Sequence, residues 1–306
     1  MELVVNIAVG VIIAATPLIL AAIGELVTER AGVLNLGVEG MMIIGALVGF
    51  AVTFLTGNPW VGMIAAILAG IALSMIFAVL TQTLLANQIA SGLALTIFGL
   101  GLTALIGQGY TGKSIAPVPQ LDIPLLSDLP IVGKLIFSHD PIVYVSIALV
   151  VAVKWYLNQT RSGLILRAVG ENHEAAHAIG HSVLAYRYGA IAFGGACAGL
   201  AGAYLSVVQT QIWVEAMTAG RGWIALALVV FAAWQPYRAL LGAYLFGGIT
   251  IIQLHGQALG LEVEPQLLAM LPYLATILVL VLISQNRLRA NTSAPGSLGK
   301  TFYASS

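Results

Sequence analysis

Two long stretches of the chain carry no Asp, Glu, Lys or Arg, and they constrain the fold more than any other feature. One runs from Gly40 to Gly112 and the other from Ala239 to Leu261. Only 8% of the 306 residues are charged, against about 25% in soluble domains. Apolar runs of roughly 18 or more residues are typical of membrane-spanning helices, whereas a β-barrel shows short alternating segments. The sequence therefore predicts an all-α polytopic membrane protein.

Hydropathy and turn residues predict about nine transmembrane helices, within a range of 8–10. A single transmembrane domain over residues 1–289 would hold them, followed by a tail over 290–306 that is rich in Ser and Gly and predicted to be disordered. Between the spans, residues 109–139 are predicted to be a Pro- and Asp-rich extracytoplasmic loop. The predicted helices are 4–23, 40–56, 60–82, 88–108, 140–158, 188–208, 222–235, 238–255 and 267–284.

Basic residues predict the orientation of these helices. Lys154, Arg161, Arg167 and Arg187 fall in one polar stretch, and further basic residues lie in the C-terminal tail. The positive-inside rule places both regions in the cytoplasm. Counting back across the spans puts the N-terminus outside, so we expect a multi-pass protein of the bacterial inner membrane with a cytoplasmic C-terminus.

Charge and cysteine content exclude several classes of function. The formal net charge is zero, which gives no electrostatic reason to expect nucleic-acid binding. The one cysteine, Cys197, cannot form an internal disulfide or a cysteine metal cluster. Membrane lipid is the partner that the composition implies.

The segment 24–39 is unusually polar for a position between two spans. It could be a loop, or a broken helix that lines a cavity, because its glycines permit both. Glu39 could be a helix N-terminal charge favoured by the helix dipole. Polar groups at membrane depth are costly and usually functional, so Glu25, Asn35 and Glu39 are also candidates for a solute pathway.

Residues 159–187 form a second polar segment, predicted to be a long cytoplasmic loop with a short amphipathic helix near 172–179. Asn172 is a candidate N-cap and Gly180 a candidate C-cap. Such a helix could dock into the groove of a partner, or the segment could be a solvated connection. The residues predicted to couple to a partner are Arg167, Gly170, Glu171, Asn172, Glu174 and Gly180.

Three further patterns could indicate a metal site, an ATP site or a residue of the solute pathway. His173 and His177 flank Glu174 with zinc-protease spacing, but no third ligand is evident, so no metal site is predicted. Residues 294–301 loosely fit a phosphate-loop pattern without a following helix, so no ATP site is predicted in this chain. Arg221 could be an interfacial anchor, pair with Glu215, or guard the outer mouth of a solute pathway.

Four blocks of sequence resemble the permeases of bacterial nucleoside ABC importers, within the group that includes ribose-type and branched-chain amino-acid permeases. The most specific is GELVTERAGVLNLGVEGMM, which ends at Met42; the others are NQIASGLALTIFGLGLTAL, RSGLILRAVGENHEAAHAIG and TAGRGWIALALVVFAAWQPYRALLGAYLFGG. The family more often has Pro where His173 stands, which further disfavours the zinc interpretation.

The resemblance implies a transport subunit that is not an enzyme and holds no cofactor, with ATP and Mg bound by separate ABC ATPase subunits. It also implies a second permease subunit and an extracytoplasmic substrate-binding protein or lipoprotein. ATP would rock the two permeases between outward and inward openings. Alternatives are a permease of the same class for simple sugars or branched-chain amino acids, and an ion-coupled secondary transporter, which needs an ionisable residue inside a span.

Overall fold

The fold is helical throughout the residues that the computed structural model describes, which are 2–119, 121, 133–258, 270, 274, 277, 281 and 294–303. Over these ranges the only strand-like pairing is an isolated bridge between Ser114 and Ile212. The predicted all-α class is confirmed.

Ten α-helices follow one another along the described chain. Two of them end in wider π turns, which are Val79–Thr83 after α3 and Tyr204–Gln209 after α8. The helices are α1 Glu2–Arg30, α2 Val38–Thr56, α3 Pro59–Ala78, α4 Gln88–Gly107, α5 Pro141–Gln159, α6 Arg161–Glu171, α7 His173–Ala178, α8 Val183–Ala203, α9 Arg221–Phe231 and α10 Pro236–Ala258.

Seven of these helices are long and apolar enough to cross a membrane: α1, α2, α3, α4, α5, α8 and α10. The helix α9 is apolar but shorter, as expected for a half-helix. The predicted helix 267–284 and the Pro- and Asp-rich part of the predicted loop 109–139 lie largely outside the described residues. Counted over the described residues alone, seven spans and one half-helix are compatible with the predicted range of 8–10.

Polar side chains explain where many of the helices begin. In each case a side-chain oxygen accepts a hydrogen bond from an N–H group of the first turn, which would otherwise lack a partner. Proline at the first helical position reinforces the start of α3 and of α5. The capping residues are Asn58 for α3, Asn87 for α4, Asp140 for α5, Thr160 for α6, Asn172 for α7 and Ser182 for α8.

Glycines allow α8 to lie at the centre of the bundle, against α1, α2 and α3. A Cβ at Gly45 of α2 would lie 2.5 Å from the Cα of Gly199, and a Cβ at Gly70 of α3 would lie 2.9 Å from the same atom. Side chains at these positions would hold the three backbones apart. Three spans therefore meet around Gly199 at van der Waals distance.

The polar segments differ most from the predicted secondary structure. The helix α1 continues to Arg30 instead of ending near residue 23, and α8 begins at Val183 instead of near residue 188. Residues 161–171 form the helix α6 where a loop was predicted. The hydropathy prediction ended α1 just before Glu25, but Glu25 and Glu29 are both buried in the protein and bond to partners outside α1.

The described part of the C-terminal tail, residues 294–303, packs against the bundle. The backbone N–H of Ser297 donates to the Gly170 carbonyl at 2.8 Å, and that of Gly299 donates to the Gly32 carbonyl at 3.2 Å. Ser297 and Phe302 are buried. The prediction of a disordered tail is wrong for these residues, because composition alone does not reveal such partners.

Candidate functional site

A helix break separates α1 from α2 at residues 31–37, and its backbone bonds to side chains of neighbouring helices. The Leu34 N–H donates to Gln88 Oε1 at 2.9 Å, and the Asn35 N–H donates to Glu25 Oε1 at 3.1 Å. Thr96 Oγ1 donates to the Leu36 carbonyl at 3.1 Å. In the segment 24–39, residues 24–30 are the last turns of α1, residues 31–37 are a short non-helical connection, and residues 38–39 begin α2. We call residues 31–37 the break.

Two buried polar atoms beside the break have no hydrogen-bond partner within the described part of the chain. They are Glu25 Oε2, an acceptor if ionised, and Gln88 Nε2, a donor. Both residues are almost fully buried. Unpartnered polar groups at such depth are costly. Glu25 Oε2 and Gln88 Nε2 can each form a hydrogen bond that this conformation does not contain.

The side chain of Asn35 bonds within the break and to the first residues of α2. Its Oδ1 accepts from the Gly37 N–H at 2.9 Å, which closes a local turn before α2. Its Nδ2 lies 3.5 Å from the Met41 sulfur, a weak acceptor. Asn35 and Glu25 therefore lie together at the break, and both are almost fully buried.

Glu39 binds the beginning of the half-helix α9. Its Oε1 accepts from Thr218 Oγ1 at 2.6 Å and from the Gly220 N–H at 2.9 Å. Its Oε2 accepts from the Gly222 N–H at 2.6 Å. A carboxylate at a helix N-terminus satisfies free N–H groups and complements the helix dipole. Glu39 thus belongs to the first turn of α2 and also closes the start of α9.

Arg221 lies next to this contact but uses a different acceptor. Its Nη1 donates to the Met217 carbonyl at 2.9 Å, within the turn that precedes α9. Glu215, the pairing partner considered from the sequence, is exposed. The structure brings Arg221 and Glu39 to the same end of α9, whereas Glu25 and Asn35 form a separate group at the break.

Sequence reasoning missed a third buried polar group, around Glu29 and Arg30. Glu29 Oε2 accepts from the Trp234 indole N–H at 2.6 Å. The Arg30 Nε and Nη2 donate to the Trp234 carbonyl at 3.2 and 3.0 Å. The spacing of Glu25 and Glu29, one helical turn apart, was the available signal that both face the protein interior.

Sequence reasoning also missed Arg187, which was used only as an orientation signal. Its side chain is fully buried near the start of α8. Its guanidinium donates to the Ala31 carbonyl, Gln82 Oε1 and the Lys300 carbonyl, at 3.3, 3.2 and 3.1 Å. Its Nη2 lies 3.1 Å from His173 Nδ1. A lone arginine within an apolar span was the sequence signal.

His173 must be neutral for this contact, because a guanidinium has only donors and Nδ1 must accept. Burial lowers the pKa of His173, and the charge of Arg187 lowers it further, whereas Glu174 raises it. His173 and His177 both place their rings against Phe302, with centroids 5.3 Å apart in each case. Across the described ranges no three His, Cys, Asp or Glu side chains could hold a metal ion.

The predicted coupling residues lie on α6, on α7, between these helices and, for Gly180, just after α7. The helix α6 approaches the break so closely that a Cβ at Gly170 would lie 3.2 Å from the Gly32 nitrogen. Asn172 caps α7, with its Oδ1 accepting from the Ala175 N–H at 3.0 Å, as predicted. Gly180 has a φ of +87°, which suits a residue just past a helix end.

The side chains of this segment divide between surface and interior. Glu171 and Glu174 are exposed, as is Ile179 beside them. Arg167 is partly buried, and its Nε has no acceptor within the described part of the chain. One side of α6 therefore packs on the break, while α6–α7 presents acidic and apolar groups to the surroundings.

Comparison with known proteins shows similarity along nearly the whole chain. Residues 7–283 match the family described as the permease component of the branched-chain amino acid transport system. The putative glucose ABC transporter permease protein TsgC13 of Haloferax volcanii is 46% identical, covering 87% of this chain and 88% of the relative. No solved structure matches the chain.

Several curated relatives carry nucleoside names, and two of them align over most of the chain. The nucleoside ABC transporter permease protein NupC of Lactococcus lactis is 34% identical, covering 89% of this chain and 90% of the relative. The guanosine ABC transporter permease protein NupQ of Bacillus subtilis is 35% identical, covering 87% of this chain and 88% of the relative.

Proposed function

Since the chain belongs to the ABC transporter permease family of the branched-chain amino acid type, we propose that it moves nucleosides across the inner membrane. As a permease it is a transport component, and separate ATPase subunits would supply the energy. The observation that carries the mechanism is the contact of α6 with the break, at Gly170 and Gly32. Movement of α6–α7 there would reach the buried carboxylates of α1.

The substrate proposal rests on the nucleoside permeases that align over most of the chain. A second candidate is a hexose, because the relative with 46% identity is named as a putative glucose permease. Nucleosides and glucose share a polyhydroxylated ring, which hydrogen-bonding groups such as Glu25 and Gln88 could bind once the break opens. Branched-chain amino acids lack that ring and are the weaker candidate.

A second permease chain is the proposed membrane partner. In two organisms the chain matches a pair of permeases unequally: TsgC13 at 46% against TsgB13 at 28%, and NupQ at 35% against NupP at 27%. It also covers more of TsgC13 and NupQ, at 88% each, than of TsgB13 and NupP, at 66% and 70%. We therefore expect a heterodimer in which this chain takes the role of TsgC13 or NupQ.

The other proposed partners are two ATPase domains at α6–α7 and a substrate-binding protein on the opposite face. Residues 294–303 contact Gly170, so this segment and α6 lie on the same face of the membrane. The positive-inside rule favours the cytoplasm for that face. ATP and Mg would bind only to the partner subunits.

Uptake by the reconstituted complex tests the substrate. Proteoliposomes with both permeases, the ATPase and the binding protein should accumulate labelled guanosine when ATP is supplied. Glucose in excess should not compete. Accumulation of glucose with no effect of guanosine would replace the first candidate by the second.

Two controls test the energy source. Uptake should persist when ionophores collapse the ion gradients and should stop when ATP is withheld. The reverse result would identify an ion-coupled transporter, for which Glu25 and Glu29 in α1 would be the ionisable residues.

A flexible linker in place of Gly170, Glu171 and Asn172 tests the coupling segment. The complex should still assemble, but ATP hydrolysis should no longer drive uptake. The matched control replaces the exposed residues Val214, Glu215 and Ala216 in the same way. Full uptake by the first variant would exclude α6–α7 as the coupling segment.

A further inference from the structure

The C-terminal residues 294–303, which we call the strap, join parts of the chain that are distant in sequence. Ser297 donates from its backbone N–H to the Gly170 carbonyl at 2.8 Å, and its Oγ accepts from the His173 N–H at 3.2 Å. Gly299 donates to the Gly32 carbonyl of the break at 3.2 Å. A single turn of the strap thus bonds to α6, to α7 and to the break.

An apolar contact fixes the end of the strap. Phe302 is buried among Val169 of α6, Ala176 of α7 and Val183 of α8. The rings of His173 and His177 pack edge-on to it, with centroids 5.3 Å away. The strap therefore covers the inner side of α6–α7 and leaves the exposed carboxylates of Glu171 and Glu174 free for a partner.

Arg187 also joins the break, α7 and the strap, and it adds the π turn after α3. Its donors reach the break at Ala31, the π turn after α3 at Gln82, the strap at Lys300, and His173 of α7. Every one of these acceptors is neutral. Among the described residues this guanidinium has no carboxylate partner, so it depends on all of its hydrogen bonds, because each lost acceptor leaves a desolvated charge less compensated. The four parts are therefore costly to separate.

We propose that Arg187 and the strap fasten α6–α7 to the break as one rigid unit, so that a displacement of α6–α7 moves the break. This inference rests on the proposed function, in which ATPase subunits displace α6–α7. Arg187, Ser297 and Phe302 act as positioning residues, since they touch neither nucleotide nor solute. Their effect is on how much solute moves for each ATP hydrolysed.

Removal of the strap is the first test. A chain that stops at Ser293 is assembled with its partner subunits, and uptake and ATP hydrolysis are measured in the same proteoliposomes. We expect hydrolysis to continue while solute moved per ATP falls about fivefold or more, which is the lower end of typical coupling between sites. An unchanged ratio would overturn the proposal.

Arg187→Lys tests the same unit in the full-length chain, in case the shortened chain fails to assemble. Lysine keeps the charge but cannot reach four acceptors, so solute moved per ATP should fall while the complex still co-purifies. Lys300→Ala is the matched control. Of Lys300, Arg187 uses only the backbone carbonyl, which the substitution keeps, and the Lys300 side chain is exposed. An equal ratio in both variants would contradict the proposed role of Arg187.

A cross-link between α7 and the strap tests whether the strap stays attached to α7 during transport or detaches from it. His177→Cys and Phe302→Cys replace rings that touch, and a short bifunctional thiol reagent then joins them. The native Cys197 is buried. Uptake by the cross-linked complex is compared with uptake by the same double variant before the reagent is added. If the parts move as one unit, cross-linking does not lower uptake; if cross-linking stops uptake, the strap must detach during transport and the proposal is wrong.

These results are distinguishable from a failure of the proposed function. Uptake by the wild-type complex without ATP would refute the ABC mechanism and leave the strap experiments without a coupling ratio to measure. ATP-dependent uptake in wild type, with an unchanged ratio in the shortened chain, would refute only the strap.

Discussion

Glu39 Oε2 accepts a hydrogen bond from the backbone N–H of Gly222 at 2.6 Å, and this bond joins the first turn of α2 to the first turn of α9. The two residues are far apart in sequence, yet a Cβ at Gly222 would lie 2.6 Å from the Glu39 Cα. The absence of a side chain at Gly222 is what allows the carboxylate to reach the helix terminus. The short span is thereby attached to the helix that follows the break.

Glu39→Ala should destabilise the protein. Thr218, Gly220 and Gly222 would lose their shared acceptor, and unpartnered buried donors cost about 1–3 kcal/mol each unless water replaces it. The thermal midpoint of the purified protein in detergent should fall by several degrees. Glu215→Ala, which removes an exposed carboxylate from the preceding loop, should leave the midpoint unchanged. Equal midpoints for both variants would argue against a structural role for Glu39.

Gly199→Ala should separate the three helices that meet at that residue. Its new Cβ would collide with backbone atoms of α3, and overpacking of this kind costs about 1–3 kcal/mol. Gly101→Ala is the control within α4, where a Cβ has no neighbour within 4 Å and helix propensity favours Ala. We expect a lower thermal midpoint for the first variant only, and a reversed order would contradict the close packing of α2, α3 and α8.

Asn172→Ala should weaken α7 without unfolding the bundle. The lost N-cap bond to the Ala175 N–H is worth about 1 kcal/mol, and the rest of the protein does not depend on it. Hydrogen exchange at α7 should accelerate while the spans keep their protection. Asn172→Asp retains a capping oxygen and should exchange like wild type; fast exchange in that variant would mean that capping is not what orders α7.

Acidification should loosen the contact between Arg187 and His173. The native pKa of His173 lies below its ordinary value of about 6.5, because of burial and the charges of Arg187 and Lys300, with Glu174 acting in the opposite direction. The unfolded state binds a proton first as the pH falls. The stability from neutral His173 is therefore complete above about pH 6.5 and is lost progressively as the pH drops towards the native pKa.

His173→Gln supplies the comparison for that pH dependence. A glutamine oxygen can accept from Arg187 but does not titrate, so part of the stability loss between neutral and mildly acidic pH should disappear in the variant. The measurement is the difference in thermal midpoint between the two pH values for each protein. Identical differences would show that His173 does not titrate within this contact.

Sequence patterns predicted the spans well, because uninterrupted apolar runs identify membrane helices. They also identified Asn172 as the N-cap of α7, because capping depends on local spacing. The predictions failed where partners are distant. The extent of α1 depends on Trp234 and Asn35, which bury its two carboxylates. The order of residues 294–303 depends on Gly170, Gly32 and His173.

The amino-acid sequence alone determined that the protein lies in a membrane, that its spans are helical, and that two polar segments interrupt the spans. Lipid imposes those outcomes on any chain with so few charges, since only internally bonded backbone can cross it. Tertiary structure alone decided which polar groups meet: Glu39 with the start of α9, Glu29 with Trp234, and Arg187 with the break, α7 and the strap. Burial of each such group requires a partner, and that partner can come from anywhere in the sequence.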